Sequence, residues 1–145
     1  MLDGLFVTPA VTAIAEALAS AHATGPIAVV GHAKIAAALA GTGATAREVL
    51  AVGLPPRAAR KLPSALPDLS SVADASLAAV IGVDVTSAAT LVEWSRVVRD
   101  GGVLVLVDRG NAPEASKRAL CAGLTELEQR HAGRVVVTSG LVTHL

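Results

Sequence analysis

Short apolar runs alternate with longer segments of mixed character along this chain, and the alternation predicts strands and helices in turn. Uninterrupted runs of Val, Ile, Leu and Ala are typical of parallel strands that are covered on both faces. The predicted strands are 27–30, 48–52, 77–85 and 103–107. Segments with apolar residues three or four positions apart predict helices instead. The predicted helices are 9–21, 34–40, 87–99 and 111–131.

Residues with known preferences for helix ends set several of these boundaries. Thr8 and Pro9 predict the N-cap and first residue of the first helix. Asn111 and Glu114 predict a capping pair for the last helix, and Gly133 follows as its C-cap. Within that helix, residues at spacings of three and four predict one apolar stripe: Leu120, Leu124, Leu127 and His131.

The second half of the chain predicts two further features of the fold. Trp94 shares a helical stripe with apolar residues and is predicted to lie in the core, and Gly101 with Gly102 predicts the end of that helix. The terminal segment RVVVTSGLVTHL predicts a β-hairpin with its turn near Ser139 and Gly140. Strands that alternate with helices, followed by a hairpin, favour an α/β fold with a mostly parallel sheet and an antiparallel edge.

Composition and charge exclude several classes of function. A length of 145 residues predicts a single domain that spans 1–145. The chain has 12 basic and 12 acidic residues and no block of Lys or Arg, which argues against nucleic-acid binding. No apolar segment approaches the roughly 20 residues of a membrane span, and no signal-peptide pattern is found. We therefore expect a cytoplasmic protein that does not bind membranes.

Cysteine and histidine usage argues against a metal site. Cys121 is the single cysteine, so a disulfide framework and a cysteine-based metal site are not expected. Its apolar neighbours predict a small buried residue. His22, His131 and His144 are far apart in sequence and lack ligand spacing.

The run 74–108 carries three short patterns in a fixed order. They are DASL (74–77) before a strand, EWSRVV (93–98) within a helix, and DGG (100–102) before the next strand. This order resembles the second half of class I S-adenosylmethionine-dependent methyltransferases. The resemblance implies a three-layer Rossmann-like sandwich for nearly the whole chain. In the family these are packing and turn residues, so they imply the fold and not an activity.

The positions that hold the cofactor in that family are mostly changed here. The family's first strand and loop read roughly h-h-D/E-h-G-x-G-x-G. Aligned with 27–35, the acid becomes Val29 and the first glycine is Gly31, while the next two glycines become Ala33 and Ile35. Those glycines let the backbone approach the ligand closely. The acid that ends the second strand and binds both ribose hydroxyls aligns with Gly53.

One further acid is lost and one is kept, so the pattern is that of a degenerate site. Ala78 stands where the family has an Asp before the fourth strand, whereas Asp68 matches the Asp that contacts adenine. The resemblance implies that S-adenosylmethionine, if its site survives, would be bound by these residues: Gly31, His32, Asp68 and Asp84. We expect no cofactor.

The segment between the second and third predicted strands is shorter than in the family. Prolines interrupt it, and it predicts at most a helical turn or two, so the family's edge strand is reduced or missing. The strand from Glu48 to Val52 would then form a sheet edge. Such edges are places where a partner can add a strand.

Several polar residues near the predicted turns have two interpretations each. His32 and Lys34 either contact an anion at a helix N-terminus or lie in a solvated loop. Asp84 is either a general base aimed into the crevice or a cap for the following helix. Asp108 and Arg109 are predicted as turn and rim residues.

Kept scaffold residues and lost ligand positions together favour a non-catalytic domain. We expect a protein-interaction or self-association module, such as a homodimer, with the partner at the edge from Glu48 to Val52; the Ala- and Val-rich composition suggests a bacterial protein. The alternative is a divergent methyltransferase with Gly31, Asp68 and Asp84 lining its site. A third hypothesis is another α/β nucleotide binder, in which His32 and Lys34 meet a phosphate.

Overall fold

Helices and strands make up most of the residues that the computed structural model describes, which are 2–19, 25–41, 48–53, 66–84, 87–109 and 112–144. The helices are α1 (Leu2–Ala19), α2 (Ala33–Gly41), α3 (Ala88–Val97) and α4 (Ala112–Cys121). The strands are β1 (Ile27–Val30), β2 (Val49–Val52), β3 (Leu77–Val83), β4 (Val98–Asp108), β5 (Thr125–Ala132) and β6 (Val135–Leu141).

The strands form one mixed sheet with the order β2-β1-β3-β4-β6-β5. The first four are parallel, and β6 runs antiparallel to both β4 and β5. This confirms the predicted mostly parallel α/β sheet with a C-terminal antiparallel hairpin. On the outer side of β2, the described residues contribute a single bridge, between Val52 and Leu66, which agrees with a reduced edge strand.

Two apolar clusters cover the two faces of the sheet and make the fold a three-layer sandwich. One joins α1 and α2 to the sheet through residues such as Ile14, Ile35 and Val105. The other joins α3 and α4 to the opposite face through Leu91 and Leu104, together with Trp94, which is buried as predicted. Among the described residues, no helix has the length and apolarity needed to cross a bilayer.

The first helix begins earlier than predicted. It starts at Leu2 and contains Pro9 in its interior, so the predicted N-cap at Thr8 is wrong. A proline inside a helix removes one backbone hydrogen bond, and burial of one helix face can offset that loss. Here Ala10, Ile14 and Ala17 are fully buried, and their packing on the sheet holds the helix together.

The glycines 101 and 102 lie inside a strand, so the prediction that they end a helix is wrong. The helix α3 stops at Val97 and β4 begins at once with Val98. The pairing of β4 with β3 shifts register here, since Leu77 pairs with Val98 and Ala79 with Val103. At Gly102 a Cβ atom would lie 2.5 Å from the carbonyl oxygen of Ala78, so this irregular segment requires glycine.

The long helix predicted for 111–131 is also wrong, because its second half is the strand β5. The helix α4 ends at Cys121, and Gly123 follows in the left-handed region at φ 85°, a conformation that commonly ends helices. No residue of the sequence TELEQRHA is buried in β5, and exposed and half-buried residues alternate over much of it, as in a strand with a solvated face. The predicted cap at Gly133 is instead part of the tight turn between β5 and β6.

The hairpin therefore lies earlier in the chain than predicted. Ser139 and Gly140, the predicted turn, are buried residues within β6. Glycine is found at position 140 because the leucines 124 and 127 lie above it, where a Cβ atom would be 2.6 Å from the Leu127 side chain. The predicted bounds of β1 are confirmed, and those of β2 and α2 are correct to one residue.

Candidate functional site

Three of the positions singled out from the sequence meet at the carboxyl edge of the parallel strands. Gly31, Gly53 and Asp84 directly follow β1, β2 and β3. In the sheet register Val30 lies beside Val52 on one side and Gly82 on the other. Ligands of open α/β sheets bind outside this edge, so these turns define the candidate site.

Gly31 makes a tight turn that leaves space beside it. Its φ is 80°, and a Cβ atom placed there would meet no atom of the described residues within 4 Å. Its backbone N–H donates a 2.8 Å hydrogen bond to the carbonyl oxygen of Val52. Glycine is therefore needed for the backbone conformation and not for lack of room.

His32 caps the helix α2. Its Nδ1 atom accepts a hydrogen bond from the backbone N–H of Ile35 at 3.2 Å, as the side chain of an N-cap residue does. Because Nδ1 accepts this bond, it carries no proton, and a neutral ring carries its proton on Nε2. The backbone N–H of Ile35, which could otherwise bind an anion at the start of α2, is thus occupied by the His32 side chain.

Two of the positions where the family has ligand-binding or loop residues lie in the core. Val29 and Ile35 are fully buried in the cluster that α1 and α2 share with the sheet. Ile35 accordingly packs between helix and sheet and does not project into the crevice. Ala78 is fully buried as well.

Gly53 is held in place by backbone hydrogen bonding to Leu66, the first described residue after position 53. Its N–H donates to the carbonyl oxygen of Leu66 at 2.8 Å, and the Leu66 N–H donates to Ala51 at 2.9 Å. Its φ is 65°, in the left-handed region. No side chain projects from the position where the family's ribose-binding acid stands.

Asp68 stabilises the turn that contains it. Its Oδ1 atom accepts a 2.9 Å hydrogen bond from the backbone N–H of Ser70 and a second one from the Ser70 hydroxyl. The hydroxyl contact, followed by the backbone contact, lowers the pKa of this carboxyl below its usual value. Asp68 follows the Leu66 bridge, so it lies at the same edge as Gly53, but one of its oxygens already has two donors.

A cluster of charged residues lies where β3 and β4 end. Asp84, at φ 54°, has its Oδ2 atom 3.5 Å from Nε of the exposed Arg109. Asp108 is buried, with Oδ1 3.3 Å from Nη1 of Arg118 and Oδ2 without a hydrogen-bond partner in the described part of the chain. Burial raises the pKa of Asp108, opposed by Arg118 and assisted by the nearby charge of Asp84.

This cluster corrects the prediction for Asp108 as a turn or rim residue. Asp108 completes β4, and α4 covers it through Arg118. The sequence signal was present but ambiguous, since an acid that directly follows VLVLV ends a buried strand. Arg109 is at the rim, as predicted. Asp84 does not cap α3 in the described residues, because the N-cap of that helix is Ser87; residues 85 and 86 lie outside them.

Cys121 is exposed at the end of α4, so the prediction that it is buried is wrong. Among the described residues, no group of three or more His, Cys, Asp or Glu side chains could hold a metal ion.

Comparison with known proteins finds no matching family model and no curated relative, but solved structures match well. A methyltransferase from Haloferax volcanii, in complex with the Trm112 methyltransferase activator, superposes with TM-score 0.69 at 15% identity over 99% of this chain and 93% of its own. The chain has a class I methyltransferase-like fold. A SAM-dependent methyltransferase from Thermotoga maritima gives TM-score 0.68 at 14% identity, over 96% and 91% of the two chains.

Larger methyltransferases contain the same fold as one part. The 16S rRNA methyltransferase of T. thermophilus, in complex with AdoMet and guanosine, matches with TM-score 0.60 at 18% identity over 88% of this chain but 38% of its own. At these identities the likeness extends to the fold alone. The methyltransferase-like fold is thus common to neighbours of very different length.

Proposed function

We propose that this chain is a non-catalytic methyltransferase-like domain that acts as a protein-interaction or self-association module. The observation that carries the proposal is the loss of the family's acidic side chains at the carboxyl ends of β1 and β2. Val29, at the position of the family's first acid, is sealed in the core. Gly53, at the position of the ribose-binding acid, has no side chain. The principal charged contacts that the family makes with its cofactor therefore have no counterpart on β1 and β2.

The energetic consequence is large enough to decide between binding and no binding. A hydrogen bond to a charged group contributes about 1.5–3 kcal/mol. The absence of the two that the ribose-binding acid would make costs about 3–6 kcal/mol, which is about two to four decades of affinity. The polar groups that remain do not compensate for it, because His32 caps α2 and Asp68 holds the turn at Ser70.

The sheet edge at β2 supports an interaction role. The N–H groups of Ile27 and Gly31 donate to Glu48 and Val52, so the even-numbered residues of this strand pair with β1. Since backbone groups alternate in direction along a strand, Val49 and Ala51 direct theirs to the outer side. The Leu66 N–H already donates to the Ala51 carbonyl oxygen. We propose that a partner strand pairs with the other outward backbone groups, which are those of Val49 and the N–H of Ala51.

Two large apolar side chains are exposed on the helices α3 and α4. Val92 on α3 and Leu120 on α4 are 54% and 62% exposed. Exposed large apolar side chains on adjacent helices favour contact with another protein when they form one patch. The solved complex of the Haloferax volcanii methyltransferase with Trm112 shows that a chain with this fold can bind a protein.

Calorimetric titration of the purified protein with S-adenosylmethionine and S-adenosylhomocysteine tests the non-catalytic part of the proposal. We expect no saturable heat up to about 1 mM ligand, which corresponds to a binding free energy weaker than about −4 kcal/mol. Saturation at micromolar concentrations would contradict it.

A divergent methyltransferase is the second candidate, and one observation favours it. No described residue fills the space beside Gly31, and the acids 84 and 108 lie at the same edge of the sheet. In that case methyl transfer would depend mainly on alignment of the acceptor with the sulfonium centre, with Asp84 as the exposed base. Saturable cofactor binding, followed by loss of methyl transfer in Asp84→Asn, would establish it.

A further inference from the structure

A cleft of about 440 Å³ lies at the opposite end of the strands from the candidate site. Val103, which begins the apolar part of β4, pairs there with Leu141, near the end of β6. The described residues that line the cleft come from α1, β4 and the hairpin: Ala19, Val103, Glu126, Leu127, Glu128, Ser139, Gly140 and Leu141. Its volume is within the usual range for small-molecule sites.

Ser139 is a mostly buried polar residue that lines this cleft. The residue is 3% exposed and lies in β6 between Val105 of β4 and Glu128 of β5. Ser139 lies beside Val105 and two residues after Val137, which both belong to the cluster that α1 covers, so its side chain faces α1. No hydrogen bond joins its hydroxyl to another described residue, so this polar group is available to a ligand in the cleft.

The surroundings of the cleft carry an excess of negative charge. Glu128 is paired with Arg130 at 2.7 Å, and Arg130 also lies 3.4 Å from Glu16 of α1. One guanidinium is thus shared by two carboxylates, and Glu126 adds a third that has no partner in the described part of the chain. The last turn of α1, which ends at Ala19, contains no basic residue, and the C-terminal end of a helix favours cations.

The backbone at Glu126 is irregular in a way that sets the direction of its side chain. The pairing of β5 with β6 shifts register between Thr125 and Glu128, and Glu126 has φ 50°. Bulges of this kind often redirect a side chain beside a binding site. Glu126 thus lines, together with Ala19, Val103 and Leu141, one and the same cleft.

We propose that this cleft binds a small organic cation with an apolar body, of the alkylammonium class. The ammonium group donates hydrogen bonds to the Glu126 carboxylate and the Ser139 hydroxyl, and the alkyl chain packs on Ala19, Val103 and Leu141. The proposal is independent of the proposed function, because the cleft and the turn at Gly31 lie at opposite ends of the strands.

The test is a two-dimensional NMR titration of the full chain with three probes of equal chain length. They are n-hexylammonium, n-hexanol and n-hexanoate. We expect saturable shifts at Val103, Glu126 and Ser139 with n-hexylammonium at about millimolar strength, the range open to a ligand of this size. We expect much weaker shifts with the alcohol and none with the acid.

Single substitutions make the test specific to the cleft. Glu126→Gln removes the charge at constant size and should weaken binding about tenfold or more, whereas Ser139→Ala should weaken it several-fold. Glu114→Gln, at an exposed acid in the first turn of α4, is the matched control and should leave binding unchanged. The proposal is overturned by any of three results: no saturable shifts at the cleft, equal shifts with hexanoate, or unchanged affinity in Glu126→Gln.

Discussion

The imidazole of His32 and the backbone N–H of Ile35 are joined by a hydrogen bond of 3.2 Å at the start of α2. In a methyltransferase the corresponding segment would be the glycine-rich loop that faces the cofactor. Here the two residues serve the helix: one caps it and the other anchors it in the core. The fold is thus retained by contacts that do not require a ligand.

Replacing His32 tests this interpretation of the loop. His32→Ala removes the cap and should lower the free energy of unfolding by about 1 kcal/mol, the usual effect of losing an N-cap. His32→Asp keeps an acceptor at the same position and should retain most of the stability. Urea unfolding followed by circular dichroism measures both, and equal stability of the alanine variant and the wild type would show that the cap is unimportant.

Two glycines should respond very differently to the same substitution. Gly31→Ala should destabilise by about 1 kcal/mol, because only the left-handed backbone disfavours a side chain there. Gly102→Ala should cost about 3 kcal/mol or more, because its Cβ atom would lie 2.5 Å from both the Ala78 oxygen and the Val98 side chain. Chemical denaturation of both variants measures the difference; similar losses would contradict the packing described around β4.

Asp108 should make stability depend on pH. Because its pKa is raised in the folded protein, the folded state holds this proton more tightly than the unfolded state does. Its contribution is therefore fully present below the ordinary Asp value of 3.8 and is lost as the pH rises through the folded pKa. Asp108→Asn should abolish this fall.

The measurement is the difference in unfolding free energy between wild type and Asp108→Asn from about pH 3.5 to 7. The readout is how this free-energy difference changes with pH. Its size at any single pH is not informative, because the substitution also removes the charged partner of Arg118 at every pH. Glu48→Gln, an exposed acid, serves as the control. A difference that does not vary with pH would contradict the burial of an ionisable Asp108.

The outer backbone of β2 should control self-association. Val49→Pro removes an N–H that points away from β1, so the ladder to β1 stays intact. Val49→Ala shortens the side chain but keeps that N–H. If a second copy pairs here, sedimentation equilibrium should show the association of the wild type persisting in the alanine variant and lost in the proline variant. Equal association of the two variants would place the contact elsewhere.

The sequence predicted the parallel half of the sheet well for a physical reason. Strands such as β1 and β3 are covered on both faces, so their apolar runs are unbroken. The edge strand β5 is exposed on one side and mostly polar, and its leucine at 127 matched a helical stripe by coincidence. Only its packing against β6, together with the left-handed residue Gly123, distinguishes the two structures.

The candidate site was predictable in position but not in its contacts. Parallel strands place Gly31, Gly53 and Asp84 at one edge by topology alone. The pairing of Asp108 with Arg118 depends on where α4 crosses β4, and this helix was predicted with the wrong length. The cleft at Ser139 likewise depends on β6 continuing through a segment whose residue types favour a turn.

The most direct test of the central claim is a calorimetric titration with S-adenosylmethionine that compares the wild type with two variants at the ribose position. Gly53→Asp supplies the missing acid in a conformation that Asp tolerates, and Gly53→Asn is its uncharged control. We predict no saturable heat for the wild type and for Gly53→Asn up to about 1 mM, with any measurable binding confined to Gly53→Asp. Micromolar binding by the folded wild-type protein would contradict the account and identify the chain as a cofactor-binding methyltransferase domain.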